Sequence, residues 1–353
     1  MKKVLHIAQF LKYGSSTGII AIIKQLKKRG VQSELLLSYP TKDQDHSILL
    51  IDSLRREGVR ISFIDSTFDR KHWNLQNIQN RISKDYPSSK YNYITHGGFA
   101  ANALSSLNID FYHVCHGFGM NRPKHIDDQD FTGISQAKYV YAVSKDIIDQ
   151  LTQLGIDRRL IHLMYYPLDI QRIKTPKVRE IKILAVVGNL IPRKGQKYAI
   201  ESLKLLLRTT SDLELLLFGD GEDYNSLKDL IEEEGLIDCV RLKGFCTVSE
   251  IFQQIDLLLV PSLSEGLGMV NLEAFLYGLP VVAFNSGGIS EIIADDYTGL
   301  LAKRKDSKDL ANKVSYYINN NQLAFQHANN GYYLSQDLFA SDKNIEHLYQ
   351  VLK

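Results

Sequence analysis

The sequence has almost no net charge, few cysteines and no long apolar run. It contains 42 lysines and arginines against 40 aspartates and glutamates, so its overall charge favours neither nucleic acid nor strong attraction to a membrane. The three cysteines are odd in number, widely spaced and without a metal-binding pattern, which predicts buried thiols in a reducing compartment. No apolar run approaches the length of a membrane span. We therefore expect a cytoplasmic protein that binds no nucleic acid.

The N-terminal residues are basic and then apolar, as in a signal peptide. The apolar run is too short for one, because Gln9, Lys12 and Tyr13 interrupt it, and a first β-strand is the better interpretation. Basic side chains also gather at the end of the first predicted helix, Gly18–Lys28, and these are Lys24, Lys27, Lys28 and Arg29. We prefer a solvated helix end favoured by the helix dipole. The alternative is a patch for peripheral association with the inner face of a membrane.

The chain of 353 residues suits two domains of about 150 to 200 residues each. Short β-rich runs alternate with helical patterns up to about residue 166, and the alternation restarts after a charged, proline-containing linker at Lys174–Glu180. The strands predicted before the linker are Val4–Phe10, Ser33–Ser38, Arg60–Ile64, Tyr91–Thr95, Phe111–Cys115, Tyr139–Val143 and Leu160–Tyr165. Those after it are Lys182–Val187, Leu213–Phe218, Val240–Lys243, Leu257–Val260, Val281–Phe284 and Gly299–Leu301. This pattern predicts an α/β fold with two similar parallel-sheet halves, and a cleft between them is the natural ligand site.

In the second half, glycines or charges follow successive predicted strands, at the end where open parallel sheets bind ligands. The loop Gly188–Gly195 carries Arg193 and Lys194 side by side, and together they can neutralise a diphosphate. An isolated basic pair is more often part of a solvated loop, so the repeated placement is the stronger signal. Three further loops also follow predicted strands in this way, namely Gly219–Glu222, Gly244–Cys246 and Ser286–Glu291.

The most informative stretch is Pro261–Val282, which joins two buried strands. A short helix is predicted to begin near Gly268 and to end at Gly278, with Glu265 in the preceding loop and Glu273 in the helix body. Carboxylates accept hydrogen bonds from sugar hydroxyls, and free N–H groups at a helix start favour phosphate. The stretch therefore suits a polyhydroxylated, anionic ligand.

Glycines and histidines mark the corresponding loops of the first half. The loop Gly14–Gly18 precedes a predicted helix and could receive an anion, although it does not match the dinucleotide-binding fingerprint. A lone histidine is more often structural than functional. Among the three at strand ends, His116 is the best functional candidate, His96 is balanced between the two roles, and His113 is expected to pack inside its strand.

Glu265-Gly266-Leu267-Gly268 with Glu273-Ala274 resembles the E-x7-E signature of the retaining nucleotide-sugar glycosyltransferases of family 4, which have the GT-B fold. The surrounding residues of Pro261–Val282 match that family more specifically than the two glutamates alone. Further matches follow in the family's order: Lys194-Gly195, Gly219-Asp220-Gly221, Gly244-Phe245, Gly287-Gly288 with Glu291, and Thr298–Leu301. The resemblance covers nearly all of the second half. In the first half it rests on the Gly14 loop, His116-Gly117 and Ser144.

The resemblance implies two Rossmann-like domains that face each other across a cleft. Residues 1–166 would bind the acceptor and residues 167–335 the nucleotide sugar, while a helix within 336–353 would pack back on the N-terminal domain. The donor is expected to be a UDP-linked hexose or N-acetylhexosamine, and the acceptor a glycan, a lipid-linked glycan or a protein. No cofactor and no metal are expected.

The resemblance also implies roles for single residues. Glu265 would hold hydroxyls of the transferred sugar, Glu273 the ribose and Lys194 the diphosphate, and His116 is similar to the family's histidine near the donor sugar. Further donor contacts would come from Gly14, Gly219, Phe245, Gly266, Leu267, Gly268, Met269 and Val270.

Three departures from the family's pattern stand out. Asn189 occupies the place of an arginine, which Arg193 would replace at the diphosphate. The usual double glycine of the first loop is Gly14-Ser15, and the hinge reads Tyr166-Pro167-Leu168-Asp169. Two alternatives to a transferase stay open: a nucleotide-sugar 2-epimerase, which needs no acceptor, and a non-catalytic sugar-nucleotide-binding partner subunit.

Overall fold

The computed structural model describes residues 2–9, 11, 14–38, 45–64, 75–117 and 132–353, and for residues 45–47 it describes the backbone alone. The chain divides into two compact units. The first contains Met1–Asp169 together with Phe339–Lys353, and the second contains Ile170–Leu338. The linker predicted at Lys174–Glu180 therefore lies within the second unit.

Within its described residues, the first unit is built on seven strands: β1 (Lys3–Ile7), β2 (Ser33–Leu37), β3 (Arg60–Phe63), β4 (Tyr91–Thr95), β5 (Tyr112–Cys115), β6 (Tyr139–Ala142) and β7 (Ile161–Leu163). They form one parallel sheet in the order β3-β2-β1-β4-β5-β6-β7. The chain moves outward from β1 in one direction and then returns to place β4 on its other side. This reversal creates a switch point between β1 and β4, the kind of place at which open parallel sheets bind ligands.

The helices described between these strands are α1 (Gly14–Lys28), α2 (Asp45–Arg56), α3 (Leu75–Asp85), α4 (Gly98–Ser106) and α5 (Lys145–Gln153). The start of α5 is fixed by Ser144, whose hydroxyl accepts a hydrogen bond from the N–H of Ile147 at 3.2 Å. Helix α1 buries Ile19, Ile22 and Ile23 among other residues of one face, and its last turn carries basic side chains.

The second unit, all of which is described, contains the strands β8 (Ile183–Val187), β9 (Glu214–Phe218), β10 (Val240–Gly244), β11 (Leu257–Val260), β12 (Val281–Phe284) and β13 (Leu300–Ala302). They form a second parallel sheet in the order β10-β9-β8-β11-β12-β13. The switch point of this sheet lies between β8 and β11. Strands β11 and β12 are buried along their whole length, as expected for parallel strands covered on both faces.

The helices of the second unit are α6 (Gln196–Leu206), α7 (Tyr224–Glu233), α8 (Val248–Gln253), α9 (Met269–Leu276), α10 (Ile289–Ile292), α11 (Ser307–Asn319) and α12 (Asn321–Leu338). Helix α6 packs against α11, and α9 packs against α12. The second contact depends on Gly331, because a Cβ atom there would lie 2.5 Å from the ring of Phe275. Among the helices that the structure describes, none has the length and hydrophobicity of a membrane-spanning segment.

The last helix, α13 (Ser341–Leu352), belongs to the first unit. Its final carbonyl groups accept hydrogen bonds from the sheet, with Tyr112 donating to Val351 at 2.9 Å and Asn92 donating to Leu352 at 3.1 Å. Near its middle, the ring of His347 lies 2.9 Å from the Tyr141 hydroxyl. The last carbonyls of a helix have no partners within the helix, and here side chains of the sheet supply hydrogen-bond donors to them.

The sequence-based class of fold, two parallel-sheet α/β domains, is confirmed, and each predicted strand lies within a few residues of an observed one. Two expectations are wrong. The Gly14–Gly18 segment is the first turn of α1 instead of a loop before it. Cys115 is buried, but Cys239 and Cys246 are partly exposed because they flank β10, which is an edge strand with neighbours on one side only.

Candidate active site

The candidate site begins at the switch point of the second sheet. The loop after β8 and the loop after β11 follow adjacent strands there. The first loop contains a single turn of 3-10 helix, Pro192–Lys194, and the second contains Glu265. The sheet order therefore brings Arg193 and Lys194 next to Glu265, although more than seventy residues separate them along the chain.

The two loops touch backbone to backbone at Gly195. Its φ of 69° is left-handed, and a Cβ atom would lie 2.1 Å from the carbonyl oxygen of Pro261. The N–H of Leu263 donates to the carbonyl of Arg193 at 2.7 Å and ties the loops together. Only glycine allows this approach, which places the Arg193 and Lys194 side chains beside the second loop.

Glu265 is the centre of a dense polar network. Its Oε1 accepts hydrogen bonds from Lys194 Nζ at 2.5 Å and from the Ser262 hydroxyl at 2.7 Å. Its Oε2 lies 3.4 Å from Arg193 Nη1, which also donates to the carbonyl of Ser264 at 2.6 Å. The Glu265 side chain is 9% exposed, whereas those of Lys194 and Arg193 are 18% and 29% exposed. Both cations are thus accessible to an anionic ligand.

These contacts keep Glu265 ionised. Burial alone would raise its pKa, but the charges of Lys194 and Arg193, with hydrogen bonds from Lys194 and Ser262, outweigh burial and lower the pKa below its usual value. The group is therefore an acceptor of hydrogen bonds at neutral pH. It carries no proton that a general acid would donate.

The loop that carries Glu265 is braced from behind by the loop after β12. Ser286 donates its hydroxyl proton to the carbonyl of Ser262 at 2.6 Å, and the N–H of Gly288 donates to the carbonyl of Glu265 at 3.1 Å. At Gly287, with a φ of 56°, a Cβ atom would lie 2.2 Å from the Glu265 carbonyl oxygen. Two serines that we did not predict as site residues, Ser262 and Ser286, thus orient the carboxylate. The three-residue spacing from Ser262 to Glu265 is the only signal in the sequence that could have indicated this.

Helix α9 starts directly after this loop. Gly268 is its N-cap residue in a left-handed conformation, with φ 78°, and Met269 and Val270 form the first turn. Gly266 and Leu267 connect Glu265 to the cap. The N–H groups of a first turn have no partners inside the helix, so these residues can present donors to an anion.

Glu273 lies one turn further along α9 and is partly exposed. Burial raises its pKa to about 7, and the positive charge of Lys194 only partly opposes that shift. No hydrogen bond or ion pair to its carboxylate is found within the described residues. Glu273 and Glu265 therefore differ in protonation near neutral pH although both lie near Lys194.

The loops after β9 and β10 complete this edge of the sheet. A Cβ atom at Gly219 would lie 2.0 Å from the carbonyl oxygen of Gly188, and the N–H of Gly219 donates to the carbonyl of Gly244 at 2.8 Å. Phe245 follows Gly244 and is 49% exposed. Asn189 lies in the first loop, where its carbonyl accepts from Gln196 at 2.8 Å.

The remaining predicted residues, His116 and Gly14, belong to the first unit. His116 follows β5 and lies in a chain of hydrogen bonds that links it to His96 at 3.0 Å and to Tyr166 at 2.8 Å. Burial lowers the pKa of His116 to about 4, so the ring is neutral. His113 is buried and bonded to Thr95 at 2.8 Å, as expected for a packing residue.

Gly14 is the first residue of α1, and a Cβ atom there would meet nothing within 4 Å. Within the described residues, no group of three or more His, Cys, Asp or Glu side chains could hold a metal ion.

Residues 169–333 match the model of the family described as glycosyl transferases group 1, and this range covers nearly all of the second unit. An uncharacterized glycosyltransferase of Methanocaldococcus jannaschii is 35% identical over 147 residues, or 41% of this chain and 40% of that protein. The amylovoran biosynthesis glycosyltransferase AmsK of Erwinia amylovora is 29% identical over 243 residues, or 62% of this chain and 59% of that protein. The chain thus spans between two fifths and three fifths of the length of these relatives.

The fold is shared over the whole chain with a solved structure of Anabaena HepE in complex with UDP and glucose. The TM-score is 0.81 at 20% identity, and the superposition covers 100% of this chain and 99% of HepE. At this level of identity the likeness establishes the GT-B class of fold. The part of the chain that resembles group 1 glycosyl transferases is the part that carries Arg193, Lys194, Glu265 and Glu273.

Proposed function

We propose that this protein is a retaining glycosyltransferase that moves a hexose or an N-acetylhexosamine from a nucleotide sugar to an acceptor hydroxyl. The observation that carries the proposal is the placement of Lys194 and Arg193 against the ionised Glu265 at the switch point of the second sheet. Two accessible cations beside a hydrogen-bond acceptor suit a ligand that combines a diphosphate with sugar hydroxyls. The match of residues 169–333 to group 1 glycosyl transferases supports the same assignment.

In this proposal, Lys194 and Arg193 bind the diphosphate and Glu265 binds hydroxyls of the transferred sugar. Asn189 has no charge to offer, and Arg193 lies on the same loop as Lys194, so Arg193 supplies the second cation. The first turn of α9, from Gly268 to Val270, lines the phosphates and the sugar. Glu273 binds the ribose, for which a carboxyl with a pKa near 7 can both donate and accept hydrogen bonds.

Transfer requires a nucleoside diphosphate to leave the anomeric carbon, and negative charge then develops on the departing phosphate. Lys194 and Arg193 stabilise that charge, and such fixed electrostatic groups are usually the largest source of catalysis. Retention through a covalent intermediate would need a free carboxylate as nucleophile, but both oxygens of Glu265 are engaged by donors. We therefore favour a reaction on one face of the sugar, in which the leaving phosphate accepts the proton of the acceptor hydroxyl. The proposal requires no metal.

A UDP-linked donor is the first choice, because the similar fold of HepE holds UDP and glucose. A glycan, lipid-linked or protein acceptor would come to the first unit, at or near the cytoplasmic face of a membrane. The test is a panel of UDP-, GDP- and ADP-sugars, measured for thermal stabilisation of the protein and for release of the nucleoside diphosphate with glycan acceptors. Stabilisation by one family of donors with release that depends on an acceptor would support the proposal. A panel in which no donor stabilises the protein would contradict it.

The same panel separates the alternatives. A 2-epimerase would change the donor without any acceptor, so product analysis of donor alone would reveal it. A binding subunit would be stabilised by the donor and would convert none of it. The acceptor-dependent release of nucleotide distinguishes a transferase from both.

A further inference from the structure

Four side chains of the first unit form one continuous line of hydrogen bonds. His6 Nδ1 lies 3.1 Å from His96 Nε2, His96 Nδ1 lies 3.0 Å from His116 Nε2, and His116 Nδ1 lies 2.8 Å from the Tyr166 hydroxyl. The rings follow one another with centroids 5.2 to 5.6 Å apart. We call this line the histidine chain. It arises because β1, β4 and β5 are neighbours in the sheet and each carries one of the histidines in the strand or directly after it.

The histidine chain can exist in two directions. A neutral imidazole has one N–H and one bare nitrogen, so the direction of one hydrogen bond fixes the direction of the next. In the first direction Tyr166 donates to His116 Nδ1, and each ring then donates from Nε2 towards His6. In the second direction each ring donates from Nδ1: His6 to His96, His96 to His116, and His116 to the Tyr166 oxygen.

The surroundings favour the first direction. His6 is fully buried, and its Nε2 has no partner within the described residues. Within the same residues, the Tyr166 hydroxyl makes no hydrogen bond besides the one to His116, and that residue is 3% exposed. The first direction therefore leaves one unpaired group, the Nε2–H of His6. The second leaves two, a bare His6 nitrogen and a Tyr166 proton with no acceptor, and unpaired buried polar groups are costly.

We propose that Tyr166 and His96 are positioning residues that fix the tautomer of His116, with Tyr166 as the donor that sets the direction of the whole histidine chain. His116 is then held with Nδ1 bare and Nε2 protonated, and both nitrogens are engaged. The significance of this tautomer for catalysis rests on the proposed function. The tautomer itself does not depend on it.

The position of Tyr166 is itself built into the fold. A Cβ atom at Gly18 of α1 would lie 2.1 Å from the Tyr166 ring, so the ring occupies space that only a glycine leaves free. A Gly18→Ala variant keeps the tyrosine hydroxyl but moves it, whereas Tyr166→Phe keeps the ring and removes the hydroxyl. Two different substitutions therefore test the same hydrogen bond.

The experiment is two-dimensional NMR of protein labelled with 15N in histidine, because bare and protonated ring nitrogens have well-separated signals. His96→Gln and His116→Gln variants assign the rings. For the native protein at neutral pH we expect His6, His96 and His116 each with a bare Nδ1 and a protonated Nε2. A native His116 with a protonated Nδ1, or with averaged signals, would overturn the proposal.

In Tyr166→Phe both directions leave the same number of unpaired groups, so we expect mixed tautomers at all three rings, and Gly18→Ala should give the same result. Tyr93→Phe is the matched control. It also removes a buried tyrosine hydroxyl of this sheet, one that donates to the Tyr86 carbonyl at 2.5 Å, and it should leave the histidine signals unchanged. Native signals in both Tyr166→Phe and Gly18→Ala would refute the role of Tyr166.

A second measurement separates this inference from the proposed function. With the donor identified by the panel, Tyr166→Phe should lower kcat/KM at least about tenfold, the scale seen when a partner that orients a metal-binding histidine is lost, and Tyr93→Phe should not. Tautomer mixing without any transfer activity would retain the positioning role and reject the proposed function. Transfer activity with unmixed tautomers in Tyr166→Phe would do the reverse.

Discussion

Replacing Glu265 with glutamine should tighten the binding of a nucleoside diphosphate and should severely reduce transfer. The carboxylate pairs with Lys194 at 2.5 Å and with Arg193 at 3.4 Å, so it competes with a diphosphate for both cations. A hydrogen bond to a charged group contributes about 1.5 to 3 kcal/mol. Removing that competitor should therefore lower the Kd of UDP about tenfold or more, because 1.4 kcal/mol corresponds to a factor of about ten.

The same substitution should weaken the free protein. It leaves two partly buried cations without their carboxylate, and breaking a buried ion pair in this way costs up to about 3 kcal/mol. Glu265→Gln should consequently show a lower Tm than the native protein and a larger upward shift of Tm with saturating UDP. Transfer should be severely reduced because the ligand for the sugar hydroxyls is changed.

The assay is calorimetric titration of UDP into the native protein and into Glu265→Gln, with GDP and ADP in parallel. Glu232→Gln is the matched control, since Glu232 pairs with Lys228 at 3.8 Å on the exposed face of α7 and its loss should leave the affinity unchanged. Adding Lys194→Ala to Glu265→Gln should cancel most of the gain. An affinity that is unchanged or weaker in Glu265→Gln would refute the idea that the carboxylate competes with the diphosphate.

Three further outcomes follow from the site. Lys194→Ala should lower the turnover number far more than it weakens donor binding, by about 2 to 4 kcal/mol in the barrier, and equal losses in steady-state kinetics would exclude a role at the leaving group. Glu273 has a folded pKa of about 7, above the usual value for a glutamate, so its neutral form stabilises the fold and that contribution is lost as pH rises from about 4.5 through 7. As the pH rises from about 5 to about 8, the free energy of unfolding of Glu273→Gln should therefore increase relative to that of the native protein, by up to about 3 kcal/mol, as measured by urea unfolding. A constant difference between the two proteins over this pH range would contradict the raised pKa of Glu273. Gly287→Ala should destabilise the protein by at least about 1 kcal/mol more than Gly235→Ala, because both glycines have positive φ but only a Cβ at Gly287 would meet a backbone oxygen. Equal losses in the free energy of unfolding would show that the loop shifts to accommodate the extra methyl group.

The sequence was sufficient to predict the alternation of strands and helices. It was also sufficient to predict which loops of the second unit contribute to one site. Arg193, Lys194 and Glu265 were predicted for one ligand site because each follows a parallel strand, and the sheet order places their loops side by side. The brace from Ser286 could not be predicted, since it depends on the path of the loop after β12. The same holds for the difference between the two glutamates, because it depends on which carboxylate lies within reach of the cations.

In the first unit, prediction from the sequence was limited for different reasons. Gly14-Ser15-Ser16-Thr17-Gly18 has poor intrinsic helix propensity, and the sequence therefore predicts a loop. Tertiary packing overrides this preference, because Ser16 and Gly18 are buried in α1 and Gly18 lies against Tyr166. The histidine chain is also hidden from the sequence, since the order β1-β4-β5 had to be known before His6, His96 and His116 could be placed in line.

The composition of the first unit has a consequence for synthesis. Residues 170–338 are continuous in the chain and contain every strand of their own sheet, so no later part of the chain is needed to complete that sheet. Most of the first unit is synthesised earlier, but its last helix is absent until residues 339–353 have been made. Only then can Asn92 and Tyr112 donate their hydrogen bonds to the carbonyls of Leu352 and Val351. The half of the protein that is synthesised first is therefore the half that is completed last.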